Sequence, residues 1–367
     1  MIKRAQAGNL IPEECFGGIK HRNPHQLGLV RKCLIDIATI SLTTIAIASV
    51  DAAQCYDRIQ HTAASLACQA WGVPLAIIHT ILTTVQQMKI HLRTAFGDTK
   101  ESIPNAPTTP FQGILQGNGA GPAIWLAVSA FLVNLLRARG HGTSITAPIT
   151  GTLRRITGLF FVDDTDIIVM AGPGENDQSV IQRLQATIDT WQGGLQASGG
   201  ALKPAKCAWS IKAFSFRNGK PHIKPPTATP GHISIQVDGT RQHIQRISTK
   251  TGVTAVGFTQ SLDGGMTEQL TAMKRKADTW ASHIRRSYID RRLAWHAIRT
   301  TIWPSLKFPL SVCTMTWTQG DIVVRSLYKS LLPALGANRN YLKLWRHAPT
   351  DFMGLVVTRT GVISSLI

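Results

Sequence analysis

The sequence predicts an α+β fold in which an antiparallel sheet packs on helices. Three observations carry this. An apolar run of strand length, Thr44–Val50, ends at Asp51. Two further apolar runs flank the acidic pair Asp163-Asp164. Between and after them lie apolar stripes stepping by three and four residues, the period of amphipathic helices.

The first stripe is Leu27, Val30, Leu34, Ile37 and Ile40, preceded by the turn residues Pro12, Gly17-Gly18 and Asn23-Pro24. After the Asp51 strand, Ile59, Ala63, Leu66, Ala67 and Ala70 share one face, predicting a helix over 57–70 that Gly72 and Pro74 stop. Residues 99–112 are rich in Pro and small polar side chains and read as a loop. Gly113–Gly121 is glycine-rich, and Pro122 suits the first turn of a helix reaching Arg139. Residues 153–161 and 166–170 read as strands either side of a tight turn. Val180, Ile181, Leu184, Ile188, Trp191 and Leu195 form another stripe, with Asp177 as candidate cap. Residues 217–230 read as a loop, 233–237 and 253–258 as short strands. From Met266 the pattern is helical, through Leu270, Met273, Ala277, Trp280 and Ile284.

Composition sets the class. The chain has 367 residues and 44% apolar content, enough for one large domain or two to three small ones. Its net charge of +19 is segregated: residues 1–200 hold 15 Lys+Arg against 13 Asp+Glu, whereas residues 201–367 hold 24 against 7. A basic half beside a nearly neutral one points to a polyanion, most simply nucleic acid. No polybasic run flanks a long apolar anchor, so no membrane partner is expected. The apolar stretches 35–50 and 122–136 fall short of a span and read as core. The six cysteines form no C-x-x-C pair and read as free, mostly buried thiols of an intracellular protein, nuclear or cytoplasmic. No signal peptide opens the chain, so secretion is not expected.

The acids suggest the chemistry. Nucleotidyl transfer needs little covalent help from protein and much charge held in line. Two divalent ions about 4 Å apart activate the attacking hydroxyl and stabilise the leaving group. Magnesium takes a few carboxylates and completes its shell with phosphate and water. Asp51 at one strand end and Asp163-Asp164 at an adjacent turn could supply these ligands. Taken alone, Phe161-Val162-Asp163-Asp164 fits an ordinary hairpin with an acidic tip equally well.

The order of segments adds a resemblance. Asp51, Tyr56 and Asp57, then Gln116, Gly117, Gly121 and Pro122, then Phe161, Asp163 and Asp164 resemble motifs A, B and C of reverse transcriptases, the non-LTR retrotransposon type above all. Two departures are Gly121, where Ser is more usual, and Phe161, where Tyr is commoner. Ile11–Gly18 is similar to the fingers segment before motif A, Gly199–Cys207 to motif D, and Val256-Gly257 with Ser261–Gly264 to the primer-grip region. The likeness covers residues 9–300. The upstream fingers strands have no counterpart, which resembles an N-terminally truncated core.

The resemblance implies a polymerase right hand: a palm sheet with partial fingers (1–43), the palm itself (44–260, with a fingers-type insertion at 75–112), and a basic helical thumb with a C-terminal extension (261–367). It implies an RNA-directed DNA polymerase acting on an RNA template, a DNA primer and deoxynucleoside triphosphates. Asp51, Asp163 and Asp164 would be catalytic and hold two Mg²⁺ ions, or Mn²⁺. Tyr56, Gln116, Gly117, Phe161 and Lys206 would bind the nucleotide, Tyr56 by crowding a ribose 2′-hydroxyl. Lys274, Arg275, Lys276, Arg285 and Arg286 would grip template–primer phosphates. N-capping is the role expected of Asp57. The alternatives are a catalytically silent nucleic-acid-binding remnant and an RNA-directed RNA polymerase of the same palm. The latter usually carries an acid where Tyr56 stands.

Overall fold

A computed structural model describes residues 1–102, 111–146 and 150–340. The middle of the loop expected at 99–112 and the end of the C-terminal extension lie outside them. The chain divides into two compact units, Met1–Leu27 with Ala38–Ser248, and Gly28–Ile37 with the residues from Thr249 on. Both helices and strands are present, as expected of an α+β chain. The hairpin after Ser248 falls in the same unit as the helix that follows it.

Helix α1 (Pro24–Ile40), whose residues Gly28–Ile37 belong to the second unit, leads into strand β1 (Ile45–Asp51) of the first. Helices α2 (Cys55–Arg58), α3 (His61–Ala70), α4 (Leu75–Gln86) and α5 (Gly121–Ala138) follow, then the hairpin β2 (Gly158–Phe161) and β3 (Asp164–Met170). Helix α6 (Asp177–Ala197) precedes β4 (Ala208–Lys212), the hairpin β5 (Ser234–Val237) and β6 (Thr240–His243), and β7 (Gln245–Arg246). The main sheet has the order β7-β4-β1-β3-β2. Its ladders are antiparallel except at the edge, where β7 runs parallel to β4. The expected sheet was wholly antiparallel; two-residue β7 carries too little pattern to announce itself.

β1 is the centre of this sheet because it can be covered on both sides. Small Ala46 and Ala48 sit opposite Val169 and Ile167 on one neighbour and Ile211 and Trp209 on the other. All are buried on a common face with the side chains of α5 and α6. Burying a Val or Ile side chain stabilises by about 1.5–3 kcal/mol. Helix α5 has the length and hydropathy of a membrane span, but Trp125, Leu126, Val128, Leu132, Val133 and Leu136 are buried inside this core.

Five local expectations are corrected. The helix expected over 57–70 is two helices, because Ile59 and Gln60 are extended between α2 and α3. The run 153–161 is also two strands: Leu153–Ile156 pairs with Thr143–Thr146, and β2 begins only at Gly158. Asp164 is the first residue of β3 rather than part of the turn, which is Val162-Asp163. Asn176, not Asp177, caps α6, accepting from Ser179 N–H at 2.9 Å. Asp177 instead accepts from Thr44 Oγ1 and pairs with Lys224 Nζ at 2.5 Å. Residues 217–230, read as a loop, include a hairpin of Phe214–Arg217 with Lys220–Ile223.

The second unit holds the hairpin β8 (Gly252–Ala255) and β9 (Phe258–Ser261), then helices α7 (Thr267–Arg286), α8 (Arg291–Ala297) and α9 (Trp317–Ala334). Gly252 N–H donates to Glu268 Oε2 at 2.9 Å and Thr259 N–H to Gln269 Oε1 at 2.6 Å. The hairpin is thereby fixed to the first turn of α7. Met273, Ala277, Leu327 and Leu331 are among the buried residues of this unit's own core.

Candidate active site

Register brings two of the predicted acids together. Asp51 ends β1 and is the ladder partner of Asp164 at the start of β3. One step inward, Ser49 is the partner of Asp166. Residues two apart in a strand share a face. Asp51, Ser49, Asp164 and Asp166 therefore lie on one face at the same end of the two central strands. The Ser49 hydroxyl donates to the buried Asp166 carboxylate. The inner pair is thus a neutral hydrogen-bonding donor against an acid, and the outer pair is two acids.

Asp163 stands at the tip of the β2–β3 hairpin and is exposed. The first turn residue, Val162, has φ +56°. This left-handed position suits Gly and strains a β-branched side chain. Two contacts hold it there. Trp125 Nε1–H on α5 donates to Val162 O at 2.8 Å. Gly17 packs so closely that a Cβ on it would lie 2.9 Å from both Val162 Cγ2 and Val162 N. The segment carrying Gly17 is itself tied to β2, with Phe16 N–H donating to Phe160 O at 2.8 Å and Phe160 N–H to Glu14 O at 2.9 Å.

Asp51 and Asp163 line a cleft of about 600 Å³ with Tyr56, Asp57, Arg58, Gln116, Lys203 and Lys206. Of the residues expected at the site, Asp164, Phe161 and Gly117 are outside this lining. Phe161 is half-buried and is the partner of Asp164 across the hairpin. Gly117 has φ +92° with open space where a Cβ would point, so its backbone is accessible to a ligand. Lys206 Nζ lies 3.2 Å from Asp51 Oδ2. Its segment is laced to the end of β1: Lys203 N–H donates to Asp51 O at 3.0 Å and Ala53 N–H to Ala201 O at 2.8 Å.

The turn after β1 sets Tyr56. Gln54 adopts φ +49° and starts α2. The half-buried Tyr56 ring lies 6.3 Å from the Trp125 ring, and a Cβ on Gly121 would be 3.3 Å from Tyr56 Cδ1. Burial, then the charges of Cys55 and Asp163, raise the Tyr56 hydroxyl above its ordinary range. Burial and the carboxylate of Asp163 push the Cys55 thiol up to about 12.

Asp57 is not the N-cap of its helix; Gln54 is. Its carboxylate instead accepts from Gln116 N–H at 3.2 Å. The Gln116 loop is further fixed by Ile114 N–H donating to Tyr56 O at 2.7 Å and by His61 Nε2 at 2.7 Å from Gly113 O. Gly113 has φ +80° and runs so close to Asp57 that a Cβ would lie 2.5 Å from Asp57 O. Trp125, Gly17 and Gly113 are positioning residues that sequence reasoning did not assign, and Asp57 is one for which it expected a cap. Only the glycines carried a signal.

The cleft is also lined by Val237, the last residue of β5, and Asp238 in the turn of the β5–β6 hairpin. Two-stranded hairpins are marginal alone. Here α6 supplies glutamine side chains in place of a third strand: Gln185 exchanges two 2.8 Å hydrogen bonds with Ser234, and Gln192 Oε1 accepts from Gln236 N–H at 2.8 Å.

The carboxylates fit a hard cation. The donors are all oxygen, and an ammonium already sits against Asp51. Among the described residues no three His, Cys, Asp or Glu side chains are gathered closely enough to hold an ion by themselves. Magnesium does not require that, since phosphate and water usually supply part of its shell.

The five basic residues expected to grip nucleic acid lie on α7 of the second unit, and all are exposed. Lys274 Nζ pairs with Asp278 Oδ2 at 2.8 Å; that bond and one from Ser326 hold the Asp278 carboxyl below its usual range. Lys276 Nζ reaches Ser305 O at 3.5 Å and Arg285 Nε–H donates to Ala281 O at 3.3 Å.

No protein-family model and no curated protein matches this chain. Among solved structures it is similar to apo telomerase from Candida tropicalis, at 12% identity over 96% of this chain and 51% of that one, TM-score 0.40. It is also similar to telomerase from Candida albicans in complex with a TWJ fragment of telomeric RNA, at 9% identity over 85% of this chain and 47% of that one, TM-score 0.35. The chain spans about half the length of these structures.

Proposed function

We propose that this chain is the core of an RNA-directed DNA polymerase of the non-LTR retrotransposon type. The observation that carries the reading is the ladder pairing of Asp51 with Asp164, with Asp163 at the hairpin tip and Asp51 and Asp163 lining one cleft. Two like charges opposed across a ladder destabilise a sheet unless something offsets them. Cation binding does so. The first unit up to Ser248 then serves as palm with part of the fingers, and the helices of the second as thumb.

Asp51, Asp163 and Asp164 would hold two Mg²⁺ ions, which when bound supply charge neutralisation for the attacking 3′-hydroxyl and the triphosphate. The chain's own residues do the rest. The Tyr56 ring, backed by Trp125, forms a rigid floor for the sugar and leaves no room for a 2′-hydroxyl. Gln116, fixed through its backbone by Asp57, bounds the nucleotide pocket. Lys206 brings positive charge and a transferable proton to the departing phosphates. Template RNA and DNA primer would be held by phosphate contacts from Lys274, Arg275, Lys276, Arg285 and Arg286, which position without reading sequence.

Extension of oligo(dT) on poly(rA) with Mg²⁺ tests this. Deoxynucleotide incorporation by the purified protein, lost in Asp164→Asn, is the expected result. Incorporation that survives Asp164→Asn, or none from a folded preparation, contradicts it.

A further inference from the structure

We propose that residues 287–290, between α7 and α8, form a stacking platform for single-stranded nucleic acid, with Tyr288 as the base-binding side chain and Arg286 and Arg292 as its phosphate contacts. Tyr288 is fully exposed, at 109% of its reference area. It is the most exposed of the large hydrophobic side chains in the described residues. A single exposed aromatic needs no explanation by itself. The surroundings of this one do.

Helix α7 ends at Arg286, and Ser287 is extended, which breaks the helix before α8 begins at Arg291. Arg285, Arg286, Arg291 and Arg292 are all exposed around the loop. Asp290 is the sole acid in residues 279–299, and it is committed to capping α8: Oδ1 accepts from Arg292 N–H at 2.7 Å and Leu293 N–H at 3.1 Å. Its charge therefore offsets the helix terminus and leaves the guanidinium groups without a carboxylate partner. Among the described residues Arg286 and Arg292 have no hydrogen-bond or ion-pair partner for their side chains. Arg291 is placed otherwise, packed where a Cβ on Gly336 would meet it at 3.2 Å.

A free aromatic face, with unpaired arginines two residues before it and four after it in sequence, matches the two parts of a nucleotide. A base stacks on the ring, and flanking phosphates meet the arginines. Bases in a duplex have no free face, so the platform fits single strands. The surface would serve a polymerase and a silent binding protein alike, and its test needs neither nucleotide nor metal.

That test is fluorescence anisotropy with a labelled single strand of about 20 nucleotides and with the matching duplex, using the full chain carrying Asp163→Ala. Tyr288→Ala is expected to weaken single-strand binding about tenfold, in the range of loss of one stacked base. Tyr288→Phe keeps the affinity, and duplex binding changes less than about twofold. Arg286→Gln and Arg292→Gln each flatten the salt dependence by about 0.7 in log–log slope. Unchanged single-strand affinity in Tyr288→Ala, or an equal loss on duplex, overturns the proposal, including the case in which the chain's own C-terminal residues cover the ring. An unchanged melting temperature for Tyr288→Ala is the folding control. Because Asp163 is already removed, failure here leaves the polymerase reading untouched, and failure of polymerisation leaves this one untouched.

Discussion

The acids of the first unit and the bases of the second are held in opposite ways. Asp51 and Asp164 are fixed by backbone register, at the ends of paired central strands, and Asp163 by a turn that Trp125 and Gly17 keep in a strained conformation. Arg275, Arg286 and Arg292 instead stand exposed on solvated helix faces. Chemistry at a reacting phosphate needs the first kind of placement, because small displacements of a catalytic group are costly. Binding a flexible polyanion tolerates the second, because each contact adds to the same diffuse attraction. The prediction is a steep, position-specific response to mutation in the cleft and a shallow, additive one on α7.

The sharpest break should come from the acids. Asp51→Asn is expected to lower incorporation by at least about 10²-fold, the scale of several kcal/mol of lost charge stabilisation, while nucleic-acid affinity stays within about twofold. A parallel loss of binding would erase the distinction between the units. Next is Gly17→Ala. The added methyl meets Val162 at 2.9 Å and should shift the hairpin tip. Overpacking costs about 1–3 kcal/mol, visible as a lower melting temperature, and the displaced Asp163 should cost incorporation as well. An unchanged melting temperature would show that the hairpin is not clamped there.

Asp57→Ala removes the acceptor of Gln116 N–H and should raise the KM for deoxynucleotide about three- to tenfold with little change in kcat, since a hydrogen bond to a charged group contributes about 1.5–3 kcal/mol at most. The smallest effects belong to α7: Arg275→Gln should flatten the salt dependence of binding by about 0.7–0.9 and leave the extension rate at saturating template unchanged.

Thiol reactivity sharpens the same contrast without mutation. Thiolate is the reactive form, and a raised pKa delays its appearance to higher pH. Cys55 beside the cleft is raised to about 12, as are buried Cys15 and Cys313, whereas Cys33 is exposed. Alkylation near pH 8 should mark Cys33 and spare Cys55 until the fold is denatured. Prompt modification of Cys55 would mean that the turn after β1 is open.

Much of the frame was legible in the residues. The Asp51 strand showed as an apolar run ended by an acid, the acidic hairpin by its flanking apolar runs, α5 by Pro122 after a glycine-rich segment, and α6 and α7 by their periodicity. What escaped is what depends on partners distant in sequence. The break at Ile59-Gln60 carries no Gly or Pro; it is stabilised by Gln60 N–H donating to Ser198 O at 2.9 Å. Asp57 looked like a cap because caps are local, and its bond to Gln116 spans a loop no periodicity can see. Val162 gave no warning of a left-handed turn, since Trp125 and Gly17 impose it. The β5 strand was legible, but its support by Gln185 and Gln192 was not, because glutamines on a helix read as solvated surface. The surroundings of Tyr288 were equally hidden: the arginines near it were visible, but not that Asp290 caps α8.

One measurement bears most directly on the central claim that the cleft carboxylates form a polymerase site. It is single-turnover extension of a DNA primer annealed to RNA, comparing the wild-type chain with Asp163→Asn at matched nucleic-acid occupancy. The account predicts Mg²⁺-dependent addition of deoxynucleotides by the wild type and none above background by the variant. Equal extension by both, or equal silence from two folded, RNA-bound proteins, would contradict it.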